Sequence, residues 1–263
     1  MFRPLSPSRS PARRAALPFW AARAALVVAP LVAVAAAPSP HDDAAERRGR
    51  TQPATLDVGS FTISVNGERV GREQFSIQRT ATADGATLEL RAESAIGDRR
   101  SAVRLEADSN GSPLRYTVET RAGATITLRL GGQRVRGRFT TLARSSTGEA
   151  AREYLLLPGV HVLEEEGLLQ YALLVRFPAL AVGDSIEVPV LTPIANRQGV
   201  VWVSRQSDID TVIVAGSRRS ATRWQVRLPD GGVRLVWADA DGRLLRIRIP
   251  AKTLEALRDD VPR

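Results

Sequence analysis

Apolar and polar residues alternate along most of the chain after residue 58, and this period of two is the pattern of strands with one buried face. Phe61, Ile63 and Val65 alternate with polar residues, and the Asn66-Gly67 pair that follows predicts a tight hairpin turn. The alternation returns at residues 88–91, 103–106, 114–119, 126–130, 186–190, 223–228, 233–237 and 245–249. Gly131-Gly132 predicts a further turn. Residues 200–203 and 212–214 are apolar throughout, which predicts strands covered on both faces.

One segment has helical spacing instead. Leu169, Leu173 and Phe177 recur every four residues, after the acidic run Glu164–Glu166 and before Pro178. We therefore predict a helix over Glu164–Phe177, and a short closing helix over residues 251–259. The predicted fold is mainly β: a curved antiparallel sheet or open β-barrel of about a dozen strands wrapped around one central helix.

The N-terminal residues predict export. A basic start is followed by an apolar run from Leu17 to Ala37, interrupted by Arg23, and then by small residues, which is the order of a secretory signal peptide. A retained membrane anchor is the alternative reading of the same residues. We predict a signal peptide over residues 1–37, a flexible spacer over 38–57, and one β-rich domain over 58–263. The predicted location is the periplasm or the extracellular space of a bacterial-type cell envelope.

The charge of the chain changes once the predicted signal peptide is removed. The formal net charge is +9, and the five arginines before position 37 account for part of it, which leaves +4. Aromatic residues are 5% of the chain and no compact basic run exists, so we do not expect a nucleic-acid partner.

The residue types that carry most catalytic chemistry are scarce. The chain has two histidines, His41 and His161, and no cysteine, which excludes cysteine nucleophiles and zinc sites built on His and Cys. His161 is predicted to be a loop residue. Residues 239–242 read as a hairpin turn rather than a calcium loop, because Pro250 stands where a calcium-binding Glu belongs. We predict no enzymatic activity, no cofactor and no metal site.

Paired acids and clustered arginines leave two weaker hypotheses open. A hydrolase needs only two carboxylates, and the candidates are Glu164–Glu166, Asp208 with Asp210, and Glu93 with Asp98. The arginines that project from neighbouring predicted strands read as a solvated outer face matched by acids, or alternatively as a face that holds phosphate or carboxylate headgroups. They are Arg129, Arg134, Arg136, Arg138, Arg223, Arg227, Arg234, Arg246 and Arg248.

The order of strands and turns resembles a known group of proteins. The run from Gly59 to Gly71, GSFTISVNGERVG, and the closing run from Trp237 to Leu245, WADADGRLL, resemble uncharacterised bacterial periplasmic β-proteins. That group is similar in architecture to the lipoprotein-carrier proteins of the Lol pathway. The resemblance implies a half-barrel closed by helix, with acyl chains held in an apolar concavity, and it implies no catalytic residues.

These observations predict a non-catalytic envelope protein that binds or carries an apolar or amphipathic ligand, such as a lipid, in the concavity of its sheet. The alternative is a structural or interaction module in envelope assembly, with an envelope protein as partner and no small ligand. The residues predicted to line the concavity are large apolar side chains of the helix and strands. They are Leu169, Leu173, Phe177, Trp202, Trp224 and Trp237.

Overall fold

The computed structural model describes residues 52–176 and 179–263, and these residues form one large curled sheet. The predicted signal peptide and most of the predicted spacer lie outside the described residues. The first strand begins at Ala54, before the predicted start of the domain at residue 58.

Fifteen strands make up the sheet within the described residues. The first eight are β1 Ala54–Val65, β2 Glu68–Thr82, β3 Gly85–Ile96, β4 Arg99–Asp108, β5 Pro113–Ala122, β6 Thr125–Val135, β7 Arg138–Ser145 and β8 Gly148–Leu155. The others are β9 His161–Val162, β10 Ser185–Thr192, β11 Arg197–Val214, β12 Ser217–Arg227, β13 Val233–Ala238, β14 Leu244–Ile249 and β15 Leu254–Arg258. A short helix, α1, spans Tyr171–Arg176, and a 3₁₀ turn spans Pro250–Lys252.

The first and last strands lie side by side in the middle of the sheet. From β1 the chain runs outward by successive hairpins to the edge strand β8, and from β15 the neighbouring strands run back in reverse chain order to the other edge, β9. The described pairs are antiparallel except β9 with β10, which is parallel. The mainly antiparallel β-sheet expected from the alternation is therefore confirmed.

The two edges of the sheet approach each other because the sheet is strongly curled. The Tyr154 hydroxyl of β8 donates a hydrogen bond to Oδ1 of Asn196, in the turn between β10 and β11, at 2.8 Å. The Gln198 side chain donates to the Leu155 carbonyl at 2.9 Å. The inner face carries one continuous apolar core that also includes residues of the 160–175 segment. That interior is the setting of the site described below.

The long central helix predicted over Glu164–Phe177 is wrong. Turns replace its first half, and α1 has six residues. The Gln170 side chain accepts a hydrogen bond from the Glu164 amide at 2.6 Å, and Glu164 Oε1 accepts one from the Ile194 amide at 2.9 Å. These contacts tie the segment to the sheet. The acidic residues therefore do not form the first turn of a helix. The segment still packs inside the sheet, since Leu169 and Leu173 are buried in the core.

Two further local predictions are corrected. Gly131 and Gly132 lie within β6, and the turn falls at Arg136-Gly137. A Cβ on Gly132 would lie 2.5 Å from the Phe139 ring, so this glycine permits a close approach between strands. The closing helix predicted over residues 251–259 is largely the strand β15, whose pairing with β1 and β14 outweighs local helical preference. Turns at Asn66-Gly67 and at residues 239–242 are confirmed.

A buried ion pair fastens the last strand to the first. The Arg258 side chain is 1% exposed and donates to both carboxylate oxygens of Asp57, at 3.0 and 2.8 Å. It also donates to the Val58 and Leu244 carbonyls and to Asp260. Because its donors are shared among β1, β14 and the chain end, the guanidinium fixes the centre of the sheet.

Candidate ligand cavity

A cavity of about 230 Å³ lies between the inner face of β1–β5 and the 164–170 segment. Small side chains create the space. Ala92 and Ser94 on β3 and Ser101 on β4 line it, whereas the neighbouring inward positions of these strands carry larger apolar residues. Leu90, Leu105 and Val118 supply apolar wall. The sheet therefore encloses a mainly apolar chamber rather than a completely filled core at this point.

A polar row crosses the wall of this cavity. In the strand register Glu73 of β2 pairs with Ser94, Ser94 pairs with Ser101, and Ser101 pairs with Thr120 of β5. Directly paired residues of an antiparallel sheet point to the same face, so the four side chains form one row across four strands. All four line the cavity. The row on one side of it, Phe75, Ala92, Val103 and Val118, is apolar, and the row on the other side reaches the mouth of the cavity at Arg99.

Glu73 is the acid of this row, and it is buried, at 3% exposure. Burial raises its pKa to about 8, and the backbone amide of Leu169, which faces the carboxyl, offsets part of this effect. At neutral pH the group is therefore mostly protonated and able to donate a hydrogen bond. Its Oε1 atom makes no hydrogen bond to any of the described residues.

A second polar group stands on the opposite wall. Burial raises the pKa of Glu164 to about 7, and the hydrogen bond from the Ile194 amide opposes this effect. The Tyr116 hydroxyl lies beside Glu164 and Gln170, and burial raises its pKa well above the ordinary value. Glu164 thus changes charge near neutral pH, within the same chamber as Glu73.

Four buried polar atoms lining the cavity lack a well-formed hydrogen bond to any residue that the structure describes. They are Glu73 Oε1, Tyr116 Oη, Thr120 Oγ1 and Gln170 Nε2. An unpaired polar atom in an apolar interior costs roughly 1–3 kcal/mol, and native proteins contain few of them. Their concentration around one chamber indicates a site that receives a polar group from a bound molecule or from water.

Charged residues surround the mouth of the cavity. Arg99, at the start of β4, pairs with Glu166 at 2.6 Å, and Lys252 lies on the 3₁₀ turn beside them. Glu165 pairs outward with Arg197 at 2.5 Å. The Arg99–Glu166 pair is solvent-exposed, so it contributes little to stability and can open at small cost.

Three of the six predicted concavity residues lie in one core, and two of the others lie away from it. Leu169 lines the cavity, while Leu173 is buried in the core beside it. Trp224 is buried in the same core, with the Arg205 guanidinium 5.7 Å from its ring centre. The other two tryptophans lie elsewhere, as described next, and Phe177 lies outside the described residues. A ligand-contact role for these residues stays a prediction.

Trp202 and Trp237 lie away from the chamber. Trp202 is partly exposed, and the guanidinium carbon of Arg227 lies 4.9 Å from its ring centre. Trp237 belongs to a second, smaller apolar cluster with Val212 and Leu245, and its indole donates to Asp210 at 2.8 Å. This cluster is where the end of the β11–β12 hairpin packs against β13 and β14.

The predicted arginine face is mostly paired with acids. Six of its nine members form ion pairs. Five of these pairs are Arg129 with Glu119, Arg134 with Asp108, Arg138 with Glu153, Arg223 with Asp210, and Arg246 with Glu255. Arg248 lies 3.5 Å from the same Glu255. This arrangement favours the solvated outer face over a headgroup-binding surface.

The one histidine among the described residues is not part of the cavity. His161 is buried on the edge strand β9 rather than in a loop, and burial lowers its pKa to about 4. Among residues 52–176 and 179–263, no cluster of three or more His, Asp or Glu side chains has the arrangement of a metal site. No helix within the described part of the chain combines the length and apolar character needed to cross a membrane.

The fold and chamber together define a curled, barrel-like β-protein with an interior cavity. A solved structure of the same class is similar: a β-barrel-like protein of the domain of unknown function DUF1849 from Brucella abortus, with a TM-score of 0.51 and 11% identity. The match covers 81% of this chain and 97% of that one. At this identity the similarity shows the fold alone. No protein-family model matches the chain, and no curated protein matches it.

Most of the cavity residues were not predicted from the sequence, because the prediction rested on large apolar side chains. Leu169, predicted to line the concavity, and Glu164–Glu166, named as candidate acids, do line the cavity. A usable signal existed for part of the site. Glu73 has the same parity as Phe75 and Ile77, and Thr120 has the same parity as Tyr116 and Val118, so alternation alone places both polar residues on the buried face. Glu164 was among the candidate paired acids, whereas no comparable signal identifies Gln170; both lie in the irregular segment before α1.

Proposed function

We propose that this protein is an exported binding protein that holds a small amphipathic molecule inside its curled sheet. The observation that carries the proposal is the composition of the chamber: an apolar wall interrupted by four buried polar atoms without well-formed partners. Binding sites for small molecules combine an apolar lining with a few polar groups that fix orientation. The N-terminal residue pattern supports export.

The size of the cavity limits what it holds. A dry cavity of about 150 Å³ accommodates benzene. In proportion, a chamber of about 230 Å³ accommodates about nine non-hydrogen atoms. The closed cavity therefore fits a short-chain amphiphile, or one segment of a lipid whose remainder leaves through the mouth beside Arg99.

A cavity-filling substitution tests the proposal. Ser94→Leu places an isobutyl group in the middle of the chamber, whereas Ala102→Leu places the same group on the exposed outer face of the neighbouring strand. Each protein is expressed with its full N-terminal region, isolated from the cell envelope and measured by native mass spectrometry. The wild type and Ala102→Leu are expected to carry the same small molecule, and Ser94→Leu is expected to lack it.

The contrary outcome is equally readable. Retention of the molecule by folded Ser94→Leu means that it binds elsewhere. A wild-type protein that carries no small molecule from the envelope, and binds no short-chain amphiphile when one is added, contradicts the proposal and favours the interaction-module alternative. Circular dichroism establishes that both variants are folded before the masses are compared.

A further inference from the structure

We infer that the ligand carries an ammonium group, and that Glu73 is its counter-charge inside the cavity. This inference rests on the proposed function and specifies the chemical class of the ligand. It begins from the charged residues that line the chamber and its mouth. They are Glu73, Glu164, Glu165, Glu166, Arg99 and Lys252.

Neither positively charged residue of this set pairs with the two interior acids, Glu73 and Glu164. Arg99 is paired with Glu166, and Lys252 is exposed at the rim. Within the described residues no guanidinium or ammonium group forms an ion pair with Glu73 or Glu164. The interior is therefore electronegative whenever either carboxyl ionises, and it attracts a cation.

The surroundings of Glu73 favour an ion pair, but the described residues supply no cation for it. One side of its carboxyl faces the Leu169 amide, and backbone N–H groups favour an ionised carboxylate. The other oxygen, Oε1, has no partner in the part of the chain that the structure describes and lies on the cavity wall. Ser94, directly paired with Glu73 across β2 and β3, adds a hydroxyl acceptor on the same face.

Other ligand classes fit this corner less well. A carboxylate ligand would be buried beside two acids with no interior cation to compensate its charge, and this desolvation cost exceeds the gain from the hydrogen bond that protonated Glu73 can donate. A neutral alcohol leaves Glu73 protonated and gains one ordinary hydrogen bond. An ammonium group presents three donors and turns the contact into a charge-assisted one, which is the stronger kind.

Three probes of matched size test the inference by isothermal titration calorimetry at pH 7: n-octylamine, 1-octanol and sodium octanoate. Octylamine is expected to bind about tenfold or more tightly than octanol, since a hydrogen bond to a charged group exceeds one between neutral groups. Octanoate is expected to bind weakest. Repeating the titration in buffers of different ionisation enthalpy measures protons, and octylamine is expected to release close to one, because Glu73 is protonated until it pairs.

Variants assign the effect to one carboxyl. Glu73→Gln is expected to abolish proton release and the preference for octylamine while octanol still binds. Glu93→Gln, on the exposed outer face of β3, is expected to behave as the wild type. Proton release that survives Glu73→Gln and disappears in Glu164→Gln overturns the assignment to Glu73.

The outcomes separate the two proposals. Equal binding of octanol and octylamine without proton release overturns the amine inference and leaves the proposed function standing. Failure of all three probes to bind the folded wild type overturns both.

Discussion

Replacing Glu73 with Gln should remove a specific dependence of stability on pH. The carboxyl has an ordinary pKa of 4.5 in the unfolded chain and one of about 8 in the folded protein. Between these values the folded chain keeps a proton that the unfolded chain has released, so the free energy of unfolding falls as pH rises. The contribution is fully present below pH 4.5 and is lost by about pH 8. The fall is about 1.4 kcal/mol per pH unit, or about 5 kcal/mol over the interval.

Urea unfolding followed by tryptophan fluorescence at pH 5, 6, 7 and 8 measures this contribution. The wild type minus Glu73→Gln difference is expected to decline steadily across the series. Glu164, whose pKa is about 7, adds its own decline to both proteins and cancels in the difference. Glu93→Gln should follow the wild type, since its side chain is exposed. A difference that stays flat from pH 5 to 8 refutes the reasoning, because it means that the Glu73 carboxyl is solvated in the folded protein.

Three further substitutions test the packing around the cavity, each by urea unfolding at pH 7. Arg258→Met leaves the Asp57 carboxylate buried and unpaired, and should lower the free energy of unfolding by about 3–5 kcal/mol; a loss under 1 kcal/mol contradicts a buried pair. Gly132→Ala should cost about 1–3 kcal/mol and Gly131→Ala little, because only the first meets an aromatic ring; equal effects contradict the strand packing. Thr120→Val should stabilise by about 1 kcal/mol or more, since it removes an unpartnered buried hydroxyl; destabilisation means that the hydroxyl is bonded.

The sheet was predictable because strand information is local. Alternation identifies the inward side chains, and turn chemistry at Asn66-Gly67 and residues 239–242 separates the strands without knowledge of their neighbours. The same local reasoning fails where a distant contact decides. The glycines at 131 and 132 have turn composition, but they lie in a strand because the Phe139 ring of the next strand occupies the space above Gly132.

The predicted helix failed for a related reason. Four-residue spacing of apolar side chains is equally produced by turns that bury each apolar residue separately. Hydrogen bonds from the backbone of Ile194 and to the side chain of Gln170 decide between the two, and neither is visible from the order of Leu169 and Leu173 alone. Residue 194 lies 30 positions along the chain from Glu164, so its contribution is a tertiary effect on local structure.

The site was harder to predict than the fold, because the cavity exists where side chains are small. Ala92, Ser94 and Ser101 carry no distinctive chemistry, and each is unremarkable as a strand residue. They matter because the register aligns them with Glu73 and Thr120 in one row, and register across four strands follows from the whole sheet. A search for acids with the parity of neighbouring apolar residues would have found Glu73, although not the space in front of it.

The polar row and the Arg258 pair place opposite demands on the same strands. Arg258 has its donors satisfied by Asp57 and neighbouring carbonyls, so it holds β1 against β15 rigidly. Glu73 of β2 pairs directly with Phe61 of β1 and lies on the same face of the sheet. One of its carboxyl oxygens has no partner among the described residues. An unpaired buried carboxyl weakens a fold, and a rigid neighbouring strand prevents the sheet from closing over it. The fixed centre of the sheet is therefore expected to keep the chamber open, and under the proposed function the bound molecule satisfies the polar row.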